Sequence, residues 1–216
     1  MLGSLSLSVG AIAATALAAR AQDAAGAAAP TTATPPATNA VPVNEPAAVA
    51  STPGDLDILN FALGLELLEL DFYTRAAEAQ TARPFLKGRL AEVVPTLRDH
   101  EAAHVEALRA AIAGAGGTAV SSAANYTYPN EVFISPVAFA RYAVALEEIG
   151  IGAYLGAAGK LRSRDLRRAA ASIYGTETRH AAILRQLGGH AFSVRYYESP
   201  LTVAEVQGLI SPIVGA

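Results

Sequence analysis

The sequence contains neither cysteine nor tryptophan, and it carries no excess of positive charge. Because none of its 216 residues is a cysteine, disulfides, thiolate zinc sites, iron–sulfur clusters and cysteine nucleophiles are excluded. A formal net charge of -3 at pH 7 argues against nucleic acid as a partner. Aromatic residues make up 6% of the chain, and this low share, together with many alanines, favours packed helices over a β-sandwich or barrel.

Residues 1–54 lack the pattern of a packed core. Residues 1–21 are small and apolar and end in Ala19-Arg20-Ala21, which resembles a cleavage site, so we expect a signal peptide or a membrane anchor. No basic residue precedes this apolar stretch, which leaves open a misassigned start codon. Residues 22–54 are rich in Ala, Pro and Thr and predict a disordered linker. We therefore expect an exported protein of the periplasm, the cell envelope or the extracellular space, with envelope attachment through the N-terminus as an alternative.

Helical periodicity starts at Asp55 and continues in four long predicted helices. Asp55, Ser135 and Ser163 are suited to cap helix N-termini. Pro95 lies inside the second helix and predicts either a kink or a helix that starts afresh there. The four predicted helices span residues 55–80, 84–113, 136–158 and 164–188.

The connection between the second and third helices covers residues 115–134. It contains short strand-like stretches at 125–128 and 131–134, and it is long for a simple loop. Two antiparallel helical hairpins that pack as one bundle need such a crossover.

These elements predict an all-α fold. Residues 55–190 would form a four-helix bundle, with two antiparallel hairpins joined by the long crossover. Residues 191–216 would form a C-terminal tail. Within that tail, Thr202 and Glu205 have the spacing of a capping box and predict a short helix that ends near Ser211.

Two Glu-x-x-His pairs stand out, Glu101 with His104 in the second predicted helix and Glu177 with His180 in the fourth. Residues three apart on a helix are neighbours on one face, so each pair can bind one metal ion. The repetition of the pair predicts a site with two ions.

The first and third predicted helices each offer one inward carboxylate, Glu66 and Glu147. Each is followed seven residues later by a tyrosine, Tyr73 or Tyr154, which lies two turns away on the same face. These tyrosines could bond the carboxylates or pass electrons, and ordinary buried tyrosines are the alternative. Glu69, one turn after Glu66, could replace it as a ligand; we favour Glu66 because it alone has the tyrosine.

Other polar residues near these motifs are predicted to lie outside the ligand set. His100 is expected at the surface or supporting a ligand, and Glu148 is expected in solvent or supporting its neighbour. His190 is predicted to lie beyond the site. The Ala/Gly-rich face around Gly150, Gly152 and Gly156 is a candidate surface for a homo-oligomer.

With these motifs, the chain resembles the ferritin-like di-metal carboxylate proteins, which include rubrerythrins, bacterioferritins and manganese catalases. The resemblance covers residues 55–190 and looks strongest to exported ferritin-like proteins related to desiccation-stress proteins. It implies a ferritin-like four-helix bundle in which Glu101 and Glu177 bridge two metal ions. The implied ligands, which would also carry any catalysis, are Glu66, Glu101, His104, Glu147, Glu177 and His180.

The resemblance also implies a function. Carboxylate-rich ligation with one imidazole per ion suits iron or manganese better than structural zinc. Such a site would handle O2 or peroxide, or oxidise or sequester metal, in stress protection; a ferroxidase, a peroxidase and a catalase-like oxidoreductase all stay open. The rival is a non-enzymatic structural or protective envelope bundle in which the metal is only structural.

Overall fold

The structure is a computed structural model that describes residues 53–122, 125–193 and 195–214. These residues form five α-helices and one short 3₁₀ helix, and no strand is found among them. The predicted signal peptide or anchor, and nearly all of the predicted linker, lie outside the described residues. The helices are α1 (Pro53–Ala82), α2 (Gly88–Gly114), α3 (Pro136–Ala158), α4 (Arg164–Leu187) and α5 (Val203–Val214), and the 3₁₀ helix is Asn130–Phe133.

The four long helices form two hairpins, α1 with α2 and α3 with α4. The helices within each hairpin make the most extensive contacts between elements and are joined by the short loops 83–87 and 159–163. The connection from α2 to α3 carries the 3₁₀ helix. The predicted all-α four-helix bundle with a long crossover is confirmed. In the described parts of the chain, no helix combines the length and the apolar character needed to cross a membrane.

Several helix ends follow the predicted local chemistry. The Ser135 hydroxyl accepts a hydrogen bond from Ala138 N at 3.3 Å, and the Ser163 hydroxyl accepts one from Leu166 N at 3.4 Å. The capping box at the start of α5 is present, since Thr202 N donates to a carboxylate oxygen of Glu205 at 2.7 Å.

Asp55 is not the N-cap of α1, because α1 already begins at Pro53. Its carboxylate instead accepts hydrogen bonds from the backbone of the α3–α4 loop, Arg162 N at 2.8 Å and Ser163 N at 3.1 Å. Asp55 is 1% exposed, and a carboxylate buried so deeply requires such partners. It therefore ties the start of one hairpin to the loop of the other.

The predicted start of α2 at Pro84 is also wrong, because α2 begins at Gly88. The Gln80 side chain accepts hydrogen bonds from Phe85 N and Leu86 N and donates one to Leu86 O, which holds this loop out of the helix. α2 then continues through Pro95, so no fresh helix starts there. A proline removes one helical hydrogen bond, and the buried side chains of Val94 and Leu97 keep this turn packed.

The two predicted strand-like stretches form no strand. Residues 130–133 form the 3₁₀ helix instead, with Val132 buried beneath it. Ser135 N and Ile134 N both donate to Glu131 O, at 3.0 Å and 3.2 Å. These local bonds satisfy backbone groups that a strand would have to pair with another chain segment.

The glycine face of α3 is covered by the chain itself. Leu201 N donates to Gly152 O at 2.8 Å, and a Cβ at Gly152 would lie 2.7 Å from Leu201 Cγ. At Gly156, a Cβ would collide with the Leu201 backbone. The tail thus packs where the sequence suggested a second copy, because only glycine lets two backbones approach so closely.

Two apolar clusters of the bundle interior have polar residues between them. One cluster contains Phe72, Leu97, Phe139 and Leu184, and the other contains Leu63, Val105, Ile112 and Leu166. On each long helix, the candidate ligands lie between the residues that belong to one cluster and the residues that belong to the other. The amphipathic pattern therefore fixes four polar segments at the same height in the bundle.

Candidate metal centre

The six predicted ligands converge from four helices into two overlapping groups. The first group is Glu66, Glu101, His104 and Glu177, and the second is Glu101, Glu147, Glu177 and His180. Within each group, one ligand atom per residue lies within 4.8 Å of the others. Glu101 and Glu177 belong to both groups, which is the position that bridging carboxylates occupy between two ions.

All six side chains are withdrawn from solvent. The four glutamates are each 0% exposed, and His104 and His180 are 9% and 3% exposed. Four ionised carboxylates exceed two imidazolium ions by two negative charges, and the cost of burying such an excess is large. The arrangement therefore calls for further positive charge.

Several ligand atoms in this cluster make no hydrogen bond with the protein, namely Glu101 Oε1, Glu147 Oε2, both oxygens of Glu177 and His180 Nδ1. His180 Nδ1 lies 3.0 Å from Glu101 Oε1 and 3.4 Å from oxygens of Glu147 and Glu177. These distances are close enough for ion pairs, but the directions do not suit hydrogen bonds. Buried lone pairs brought this close together fit divalent cations, which would satisfy them.

The electrostatics of the cluster follow from burial. Burial raises the pKa of Glu66 to about 8, although a hydrogen bond from His104 opposes the shift. Burial likewise raises the pKa of Glu147, against the opposing charge of His180. For the two histidines, burial lowers the pKa, but the glutamates outweigh it, through hydrogen bonds at His104 and through the charge of Glu147 at His180, and raise both values to about 12. The site therefore holds protons that a metal ion must displace.

The two tyrosines bond across the hairpins. The Tyr154 hydroxyl on α3 donates to Glu66 Oε1 on α1 at 2.6 Å, and the Tyr73 hydroxyl on α1 donates to Glu147 Oε1 on α3. The sequence placed each tyrosine beside the glutamate of its own helix, whereas each hydroxyl reaches the glutamate of the other. One oxygen of each glutamate is thus held by a tyrosine, and the other is left for a metal.

Glu69 belongs to neither ligand group. It is 3% exposed, and burial together with the charge of Glu147 raises its pKa well above the ordinary value. Its Oε1 lies 3.2 Å from the position of a Cβ on Gly150. Glu69 follows Glu66 by three residues, just as Gly150 follows Glu147. The two hairpins therefore differ at this position. The first hairpin has a carboxylate, Glu69, and the second has Gly150, which Glu69 faces.

His100 supplies the partner of His180 that sequence reasoning did not identify. Its Nδ1 lies 2.9 Å from His180 Nε2, and the two rings stack with centroids 5.1 Å apart. When His180 Nδ1 binds a metal ion, its Nε2 would carry the hydrogen and donate it to His100 Nδ1. His100 itself is exposed, so it both lies at the surface and supports a candidate ligand.

Glu148 faces away from the site, as its position beside Glu147 predicts, but it does not reach solvent. It forms a buried ion pair with Arg185 of α4 and lies 3.5 Å from Arg195. This pair joins α3 to α4 behind the ligands. His190 lies outside both ligand groups.

Comparison with known proteins agrees with this architecture. The model of a protein family described as the ferritin-like domain matches residues 54–190. This range covers the four long helices apart from the first residue of α1, and it includes every residue of the two ligand groups. No curated protein matches the chain.

Proposed function

The chain belongs to the ferritin-like domain family, and from this premise we propose that it is an exported di-metal carboxylate protein that reacts with O2 or peroxide in stress protection. Its ions would be iron or manganese, because the donors are carboxylates and one imidazole per ion. The observation that carries the proposal is the pair of overlapping ligand groups that share Glu101 and Glu177. Such sharing supports two adjacent ions rather than one.

The residues of the chain have distinct parts in this proposal. Glu66 with His104 would hold one ion, and Glu147 with His180 would hold the other. When bound, the two ions supply Lewis-acid and one-electron redox chemistry toward an oxygen species. The protein fixes the carboxylates from behind, through the tyrosine hydroxyls, so that the ligand oxygens keep their orientation.

Burial gives the candidate metal site a surrounding with little water. The two apolar clusters close the bundle above and below the ligands, which limits the water around the charges and strengthens electrostatic interactions. Glu69 belongs to neither ligand group, and its raised pKa means that its carboxyl can hold a proton near neutral pH. It is therefore placed to donate a proton to a reduced oxygen product.

The test is turnover by the reconstituted protein. Wild-type protein loaded with iron or manganese should consume O2 or peroxide, and Glu101→Gln should abolish this consumption because it removes a shared ligand. Glu106→Gln is the matched control, since Glu106 lies on the same helix with 73% of its side chain exposed, paired with Arg109. Equal consumption by Glu101→Gln and Glu106→Gln would refute the proposed role of the site.

A structural role for the metal is the second candidate, and the burial of four glutamates supports it. Ions that neutralise these charges would stabilise the fold whether or not they react. Under this reading, Glu101→Gln lowers the thermal stability of the metal-loaded protein, and wild type consumes neither O2 nor peroxide. Consumption of O2 or peroxide by the metal-loaded wild type therefore separates the two functions.

A further inference from the structure

An apolar cavity lies between all four long helices, at the end of the bundle where α1 and α4 begin. Its volume is about 50 Å³. It reaches the surface beside Ala107 and Asp165, which are exposed. Its inner wall is formed by buried side chains, among them Leu59, Ala62 and Tyr154.

The cavity offers almost nothing to a polar ligand. Apart from Asp165 and Tyr154, every residue that lines it is Ala, Leu, Ile or Phe. The Asp165 carboxylate is 59% exposed and pairs with Arg168 at 3.2 Å, so it is directed to solvent. The Tyr154 hydroxyl is bonded to Glu66. A cavity without free polar partners does not hold ordered water and is open to small apolar molecules.

Tyr154 connects this cavity to the candidate metal centre. Tyr154 lines the cavity, and its hydroxyl lies 2.6 Å from Glu66 Oε1. Glu66 Oε2 in turn lies 3.2 Å from His104 Nδ1. One side chain therefore separates the apolar cavity from the first ligand group.

We propose that this cavity binds dioxygen and conducts it from the surface to the metal centre. The inference rests on the proposed function and narrows it, since it names O2 rather than peroxide as the molecule that takes this route. Dioxygen is apolar and leaves water for an apolar cavity readily. Peroxide would have to give up hydrogen bonds to water that Ala, Leu and Ile cannot replace.

Two measurements test the proposal. Crystals of wild-type protein under xenon pressure should show xenon beside Tyr154, because xenon occupies dry apolar cavities. Filling the cavity with Ala111→Val or Ala170→Val should slow the O2-dependent oxidation of bound Fe(II) by roughly tenfold, within the range over which association rates vary. Oxidation of the same protein by peroxide should not change. Ala110→Val is the matched control, because Ala110 is exposed and adjacent to Ala111.

The outcomes separate this route from the function on which it rests. An empty cavity under xenon, or an O2 rate in both filled variants equal to that of Ala110→Val, would overturn the route even if the protein is active. Equal slowing with O2 and with peroxide would also overturn it, because the effect would then lie in the metal centre. If metal-loaded wild type reacts with neither oxidant, the proposed function fails and the route fails with it, whatever xenon shows.

Discussion

Tyr154, on the second hairpin, donates a hydrogen bond of 2.6 Å to Glu66 on the first, and Tyr73 makes the reciprocal bond to Glu147. The two hairpins are therefore locked together by their candidate ligands as well as by their apolar faces. Because the bonds are reciprocal, each half of the bundle orients one glutamate of the other half. The metal centre is for this reason a property of the paired hairpins.

Replacing Tyr154 by Phe should weaken both the fold and the site. The change leaves a buried oxygen of Glu66 without its donor, which costs about 1–3 kcal/mol in the free energy of unfolding. Urea unfolding measures this cost, and metal titration should show weaker binding of one ion. Tyr142→Phe is the control, because its hydroxyl bonds no candidate ligand. Unchanged stability and metal affinity in Tyr154→Phe would contradict the orienting role.

Replacing His100 by Ala should reduce metal affinity without unfolding the protein. His180 would lose the acceptor for its Nε2 hydrogen, and loss of such a partner typically lowers metal affinity about 10–100-fold. Isothermal titration with Mn(II) provides the measurement, and His100→Gln, which keeps an acceptor, should restore part of the affinity. His190→Ala, outside the site, serves as the control. A normal affinity in His100→Ala would show that the contact with His180 is incidental.

The contact between Gly150 and Glu69 predicts opposite effects for two glycine substitutions. In a helix interior, Gly→Ala stabilises by about 0.5–1 kcal/mol where space allows, and no atom lies within 4 Å of a Cβ at Gly175. At Gly150, the Cβ meets Glu69 Oε1 at 3.2 Å and must displace a buried carboxylate. Thermal unfolding should therefore show a higher Tm for Gly175→Ala and a lower one for Gly150→Ala. A rise in both would mean that Glu69 moves aside freely.

The stabilisation by bound metal should increase with pH. The pKa values of His104 and His180 are raised from 6.5 to about 12, so these groups stabilise the metal-free fold below pH 6.5 and lose that contribution as pH rises toward 12. The pKa of Glu66 is raised from 4.5 to about 8, so its stabilising contribution to the metal-free fold is likewise lost as pH rises from about 4.5 to 8. Metal binding requires the deprotonated ligands.

Melting curves of metal-loaded and chelator-treated protein check this dependence. The difference in Tm between the two samples should widen from about pH 6 to about pH 8, because protons compete less with the ions. A difference that stays constant or narrows over this range would show that the histidines and Glu66 do not exchange protons for metal.

Much of the fold and the candidate ligand set could be predicted from the sequence because the signals are local. Ser135 and Ser163 cap their helices through bonds three residues away, and each Glu-x-x-His pair lies within one turn. Features that depend on how the helices pack could not be predicted. Asp55 bonds to a loop more than a hundred residues later, and His100 meets His180 from another helix, so neither contact leaves a pattern in its own stretch of sequence.

The same distinction explains the wrong helix start at the first hairpin and the packing found on α3. Proline is a favourable residue at a helix start, but the Gln80 side chain makes hydrogen bonds with the backbone of the loop that follows Pro84, and these bonds keep the loop out of the helix. The glycines at 152 and 156 do mark a close approach, as their spacing indicates, although the partner is Leu201 of the same chain. Spacing alone identifies a contact surface and does not identify what packs on it.

The central claim is that Glu101 and Glu177 are shared between two metal ions, and metal stoichiometry tests it most directly. Elemental analysis of wild-type protein after reconstitution with iron or manganese and removal of loose metal should give about two ions per chain. Glu106→Gln should match wild type, and Glu101→Gln should fall clearly below it. A wild-type value of one ion per chain or fewer with both metals would contradict the account.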